Sequence, residues 1–98
     1  MLNSKQRAYL RAMSQHLDTI FQVGKGGITE EMCNQIANAL EARELIKARV
    51  LENSGYTAKE AANEISEAIE CDVVSGVGSR FVLYKESEKK KRIELPKK

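Results

Sequence analysis

Apolar residues recur with the spacing of an α-helix in three segments of this 98-residue chain. The first segment follows Asn3 or Ser4, either of which can cap it, the second follows Thr29, and the third follows Thr57. The stripes that define the buried faces are Leu10, Met13 and Leu17; Met32, Ile36 and Leu40; and Ala58, Ala61, Ala62, Ile65, Ala68 and Ile69. The pattern therefore predicts three amphipathic helices.

Four further segments have the pattern of β-strands. In residues 44–51 apolar side chains alternate with Lys47 and Arg49, which predicts a strand with one buried face and one basic, partly solvent-exposed face. The other β-prone segments are Thr19–Val23, Asp72–Val77 and Arg80–Lys85. Gly78 and Ser79, between the last two strands, fit a type II′ hairpin turn.

The element order is therefore α-β-α-β-α-β-β, which predicts an α/β fold: a small mixed four-stranded sheet with helices packed on it. Alternating strands and helices imply parallel pairing, and the closing hairpin adds an antiparallel pair. Residues 1–98 are expected to form one domain, with residues 86–98 as a basic C-terminal tail. Ile93 and Leu95 give that tail an apolar patch that can dock on the body.

Charge is distributed unevenly, although the net charge is only +2. Residues 1–28 carry four basic and one acidic side chain, residues 29–79 carry four and ten, and residues 80–98 carry eight and three. Two basic ends thus flank an acidic middle. This asymmetry suggests one surface for a polyanion and another that is merely solvated.

Several functional classes are disfavoured by composition. The isolated Cys33 and Cys71 and the single His16 lack the spacing of a zinc site, so no metal or cofactor is expected, and free thiols in a reducing cytosol are the simplest interpretation. Neither a signal peptide nor an apolar run of about 20 residues is present. We expect a cytoplasmic protein with no membrane contact, and a monomer, because no obvious exposed apolar stripe demands a dimer.

Residues 21–31, FQVGKGGITEE, place three of the six glycines around Lys25, between a predicted strand and a predicted helix. Backbone amides at such a junction can bind an anion, yet neither a P-loop nor a GxGxxG fingerprint is present. Gly24–Gly27 matches the short GxxG pattern with which KH modules clamp a nucleic-acid backbone. The motif alone leaves an alternative of about equal weight, a tight turn that needs positive φ.

The chain as a whole contains, in this order, SKQRAYLRAMSQHL, FQVGKGGITEEM, ALEARELIKARVL, GSRFVLYK and RIELP. Between Ser4 and Pro96 it thereby resembles the stand-alone bacterial YhbY-type proteins, which are single CRM domains named for chloroplast RNA splicing and ribosome maturation. The resemblance implies a fold similar to the C-terminal domain of a translation initiation factor. It also implies RNA binding without catalysis, with ribosomal RNA in precursors of the large subunit as the partner.

The family's GxxG falls on Gly24–Gly27 and its basic strand on Lys47 and Arg49, and neighbouring cations are expected to extend the electrostatic track. The candidate RNA-binding residues are Gly24, Lys25, Gly26, Gly27, Lys47, Arg49, Arg80, Lys5, Arg7 and Arg11. Together these observations predict an RNA-binding protein that assists large-subunit assembly. Two alternatives remain: a protein-interaction module on ribosomal particles that uses the acidic helices, and an enzyme acting on a phosphorylated metabolite.

Overall fold

The computed structural model describes residues 2–96, in which three helices and four strands follow the predicted order. These elements are α1 (Ser4–Ser14), β1 (Thr19–Val23), α2 (Glu30–Arg43), β2 (Leu45–Val50), α3 (Ala58–Ile69), β3 (Asp72–Val77) and β4 (Arg80–Tyr84). Asn3 and Thr57 each form a complete capping box, and the Thr29 side chain accepts a hydrogen bond from the Met32 amide. The predicted helix starts are therefore confirmed.

The sheet has the strand order β1-β2-β4-β3, with β1 and β2 parallel and the other two neighbouring pairs antiparallel. Parallel pairing is thus confirmed for β1 and β2 and is wrong for β3, because β4 lies between β2 and β3. Four consecutive buried residues, Phe81–Tyr84, explain this insertion. A strand that is apolar on both faces is most stable inside a sheet, whereas the half-exposed β3 suits an edge.

Each face of the sheet is covered by its own set of helices. Helices α2 and α3 pack on one face, where Ile46, Phe81 and Leu83 are fully buried. Helix α1 packs on the other face against Val82 and Tyr84. The buried face predicted for α3 is confirmed for five of its six residues. The sixth, Ala68, is exposed because it lies at the edge of that face.

The C-terminal tail docks on the α1 face of the sheet. Ile93 is buried in the same cluster as Tyr84, Leu95 packs against that cluster, and the Gln6 amide group donates to the Pro96 carbonyl at 3.0 Å. The docking expected of Ile93 and Leu95 is therefore confirmed for the part of the tail up to Pro96. Lys97 and Lys98 lie outside the described residues.

A buried carboxylate at the end of α2 holds the tail in place. Glu44 is fully buried, has φ of 66°, and accepts hydrogen bonds from the amides of Ser87 (2.7 Å), Arg92 and Ile93 (2.7 Å). Burial by itself raises the pKa of the Glu44 carboxyl, but the three amide donors outweigh burial and hold the pKa below its ordinary value. One turn earlier, Glu41 accepts from the Ser87 hydroxyl. The tail is thus a strap that is bonded to the body through its backbone.

Candidate nucleic-acid interface

The glycine motif forms a β-turn directly after β1. The Gly27 amide donates to the Gly24 carbonyl at 2.9 Å, which places Lys25 and Gly26 at the two central, exposed positions. Within residues 2–96, no intrachain hydrogen bond uses the amides of these two central residues. An acceptor from outside the molecule can therefore reach both amides together with the Lys25 ammonium.

The backbone angles and surroundings of the glycines show which of them are needed for the turn itself. Gly27 has φ of 75°, so the turn itself explains a glycine there. Gly26 lies outside the positive-φ region, and a Cβ built on it meets nothing within 4 Å. A Cβ on Gly24 would make an ordinary contact of 3.6 Å with Leu51. Within the described residues, no contact and no positive φ requires glycine at position 26.

Two arginines lie opposite each other on the strands next to the turn. Arg49 of β2 is the direct cross-strand partner of Arg80 of β4, and Gln22 of β1 is the partner of Arg49 on its other side. Like charges opposite each other across a sheet destabilise it. The ion pair found within residues 2–96 joins Lys91 and Glu86, so neither arginine has a carboxylate partner there. The positive charges of Arg49 and Arg80 are therefore not neutralised within the described residues.

We call this region, formed by Gly24–Gly27, Arg49 and Arg80, the loop end of the sheet. The opposite end, where Leu45 and Asp72 pair with neighbouring strands, is the tail end. The structure brings together at the loop end six of the ten predicted site residues. Their individual roles in RNA binding remain predictions.

Lys47 lies on the same face as Arg49 but closer to the tail end. It is half-buried, and its ammonium donates to the Ser14 carbonyl at the end of α1 at 3.4 Å. A cation at a helix C-terminus is favourable because of the helix dipole. Lys47 therefore helps to hold α1 on the sheet, a contact that an RNA phosphate would have to compete with.

The three cations of α1 are exposed, but they do not all extend the loop end. Arg7 lines a cavity of about 230 Å³ with Cys71 and Asp72, next to the start of β3 at the tail end. Arg11 lies in the last turn of α1, close to the helix end that contacts Lys47. Lys5 lies in the first turn. These cations lie along α1 rather than beside the glycine turn.

Charge separates the two faces of the molecule. The face covered by α1 carries Lys47, Arg49 and Arg80 on the sheet and the three cations on the helix. The opposite face is covered by α2 and α3, whose exposed acidic residues are Glu30, Glu31, Glu60, Glu64, Glu67 and Glu70. Basic side chains thus predominate on the α1 side of the sheet and acidic side chains on the side of α2 and α3.

The basic run Lys89–Arg92 lies near the tail end, away from the glycine turn. Amides of this run donate to Glu41 and Glu44, and Lys91 forms an ion pair with Glu86 at 3.2 Å. The backbone of this run is therefore bonded to acidic side chains of the body, while its four cationic side chains are exposed and only Lys91 has an ion-pair partner within residues 2–96.

Sequence reasoning missed two residues that matter here. Glu44 was part of a predicted strand, and nothing in its local pattern indicates a buried anchor for a segment more than 40 residues away. Tyr56 was not singled out, although its ring lies beneath the glycine turn, with Cε2 3.8 Å from a Cβ built on Gly27. Its position directly after Asn53, Ser54 and Gly55, three residues typical of turns, was the available signal.

The structure adds two findings about other functional classes. Among residues 2–96, no cluster of three or more potential metal-ligating side chains occurs, and no helix is both long and apolar enough to cross a membrane. Burial raises the pKa of both thiols, to about 11 for Cys71, so both cysteines are protonated at neutral pH.

Comparison with known proteins places this geometry in a family context. The chain is 48% identical over 96 residues to "Probable RNA-binding protein YqeI" of Bacillus subtilis, covering 98% of this chain and 100% of that protein. It is 35% identical over 97 residues to an "RNA-binding protein" of Haemophilus influenzae, covering 99% and 97%. The solution structure of the hypothetical protein SAV1595 from Staphylococcus aureus matches with a TM-score of 0.77 and 46% identity, covering 98% and 100%.

The family model described as the CRS1 / YhbY (CRM) domain matches residues 2–85, which include all ten candidate site residues and stop just before the strap. The chain belongs to the CRS1 / YhbY (CRM) domain family.

Proposed function

We propose that this protein binds RNA without catalysing a reaction and that the loop end of the sheet is the primary contact. The observation that carries the proposal is Gly26, an exposed turn residue whose backbone and surroundings would accept any side chain. A polymer backbone that lies against the turn explains the glycine. The exposed amides of Lys25 and Gly26, with the Lys25 ammonium, match the acceptor oxygens of a phosphate.

The two arginines supply the next contact along the RNA. Arg49 and Arg80 lie side by side on neighbouring strands without a carboxylate partner in residues 2–96, and a phosphate placed between them would relieve their mutual repulsion. The acidic exposed faces of α2 and α3 direct a polyanion to the opposite side of the molecule. Affinity should therefore depend on phosphate contacts and fall steeply with salt.

Salt titration of RNA affinity tests this proposal. Lys25→Ala should lower affinity for all RNA sequences and reduce the slope of log K against log salt by about 0.7–0.9, the share of one phosphate. Its melting temperature should not change, because Lys25 is exposed and makes no hydrogen bond within residues 2–96. Unchanged affinity of Lys25→Ala over the whole salt range would contradict the proposal.

We further propose that the RNA is ribosomal RNA in large-subunit precursors, that binding occurs in the cytoplasm, and that it assists subunit assembly. The family membership and the RNA-binding names of the relatives support this choice of partner. Crosslinking in cells followed by sequencing of the attached RNA tests it. Enrichment of large-subunit precursor RNA, lost in the Lys25→Ala variant, is the expected result.

A protein-interaction module remains the competing function, because the acidic helices also present an extended surface. Association with ribosomal particles that survives nuclease treatment and is unaffected by Lys25→Ala would favour protein contact over RNA contact. Turnover of a nucleotide or another phosphorylated metabolite would instead favour an enzyme.

A further inference from the structure

A cavity of about 530 Å³ opens to solvent at the loop end, next to the glycine turn. It lies between the segment that follows β2 and the β3–β4 hairpin turn. The side chains and backbone that line it include Arg49, Leu51, Glu52, Tyr56, Gly78 and Ser79. Its volume lies in the range of small-ligand sites, and its lining combines apolar surface with a few polar groups.

The cavity and the glycine turn share their walls. A Cβ on Gly24 would lie 3.6 Å from Leu51 Cδ1, and a Cβ on Gly27 would lie 3.8 Å from Tyr56 Cε2. Leu51 and Tyr56 therefore lie next to the turn while they line the cavity. If an RNA strand places one phosphate on the turn, its next nucleotide lies within reach of the cavity.

Apart from Arg49, which lies at the proposed phosphate contact, the lining favours a base over a second phosphate. The Tyr56 hydroxyl donates to the Glu64 carboxylate at 3.1 Å, which fixes the ring and leaves its face as the contact surface. That hydrogen bond is the main reason why the pKa of Tyr56 is raised, so the ring stays neutral. Glu52 adds a carboxylate that repels phosphate and can accept a hydrogen bond from an exocyclic amino group.

We propose, on the basis of the RNA-binding function above, that this cavity holds one unpaired nucleobase of the strand whose backbone lies on the glycine turn. The base stacks on Tyr56, and a base with an amino group donates to Glu52. The site therefore recognises single-stranded rather than fully paired RNA, because a base in a duplex cannot leave its stack without an energetic cost.

Two oligomers of equal length and charge test the inference: oligoadenosine RNA and a strand of abasic ribose phosphate. The intact strand should bind the wild-type protein roughly 5- to 150-fold more tightly, which corresponds to one stacked base. Tyr56→Leu keeps an apolar side chain on the core but removes the ring, and it should abolish this difference without changing affinity for the abasic strand. Tyr9→Leu, at an exposed tyrosine on α1 outside the cavity, is the matched control and should preserve the difference.

A second variant keeps the test independent of folding at position 56. Ser79 is exposed, and its side chain makes no hydrogen bond within residues 2–96. Ser79→Gln should therefore narrow the cavity without disturbing the core. It should weaken binding of oligoadenosine and leave binding of the abasic strand unchanged. Equal affinity of the wild-type protein for the two strands would overturn the inference while leaving the proposed phosphate contact in place. Equal weakening of both strands by Tyr56→Leu would overturn it as well. Failure of both strands to bind would overturn the proposed function together with the inference.

Discussion

Arg49 on β2 and Arg80 on β4 are direct cross-strand partners beside the glycine turn. Every other pair between β2 and β4 includes at least one apolar residue, and in the described part of the chain neither arginine has a carboxylate partner. Natural sheets avoid like charges in this arrangement because they cost stability. This unfavourable pairing at the loop end is consistent with the anion-binding role that we propose for the two arginines.

Replacing one arginine of this pair should change folding stability and RNA affinity in opposite directions. Arg80→Gln is expected to raise the free energy of unfolding slightly, by about 0.2–1 kcal/mol, because it removes the repulsion with Arg49. The same change should weaken RNA binding and lower the salt slope by about one phosphate. Urea denaturation and a salt series of binding isotherms measure the two effects.

Lys59→Gln is the matched control for Arg80→Gln. Lys59 is also an exposed cation, but it lies in the first turn of α3 on the acidic side of the molecule. Its replacement changes the net charge by the same amount and should leave the salt slope unchanged. Equal loss of affinity in the two variants would show that net charge, rather than the arginine pair, attracts RNA.

The sequence predicted local structure better than long-range structure. Caps at Asn3, Thr29 and Thr57 were predictable because a capping side chain and its amide partner lie three residues apart. The insertion of β4 between β2 and β3 was not, because strand order depends on contacts between residues distant in the chain. The alternating pattern placed Lys47 and Arg49 on one face, but it contained no signal that the Lys47 ammonium reaches α1.

Glu44 marks the limit of sequence reasoning most clearly. Its charge and its place at the start of the predicted strand indicate an exposed residue, yet three amides from the tail compensate for its complete burial. The candidate site was predicted at the level of the GxxG turn, whose pattern is local. The cavity beneath that turn was not predicted, because its walls come from separate parts of the chain.

The strap should make stability depend on the ionisation of Glu44. Glu44→Gln replaces one acceptor oxygen by a donor and should lower the free energy of unfolding by about 1–3 kcal/mol at neutral pH. Because the folded-state pKa of Glu44 lies below its ordinary value of 4.5, the stability it contributes is present above pH 4.5 and is lost as the pH falls through the lower, folded-state pKa. The difference between wild type and variant should therefore shrink in acid.

Urea denaturation of both proteins from neutral pH into this acidic range measures the difference directly. A gap between wild type and Glu44→Gln that stays constant with pH would show that the carboxylate form of Glu44 does not hold the strap.

The apolar contact of the strap is expected to matter for folding rather than for RNA binding. Ile93 is buried against α1 and the sheet, so Ile93→Ala should lower the free energy of unfolding by about 2–5 kcal/mol. At temperatures where the variant remains folded, its RNA affinity should match that of wild type, because the strap lies at the tail end. Calorimetry with binding measurements below the transition tests both statements, and selective loss of one RNA would show that the strap contacts RNA.

The central claim is that an RNA backbone lies against Gly26, and a pair of isosteric variants tests it most directly. Gly26→Asn and Gly26→Asp both add a side chain where the structure leaves open space, so both should retain the wild-type melting temperature. Asp adds a negative charge next to the bound phosphate, whereas Asn does not. RNA affinity measured at several salt concentrations should fall much further for Gly26→Asp than for Gly26→Asn, with the gap narrowing as salt rises. Equal affinities for wild type and both variants, with unchanged melting temperatures, would contradict the claim.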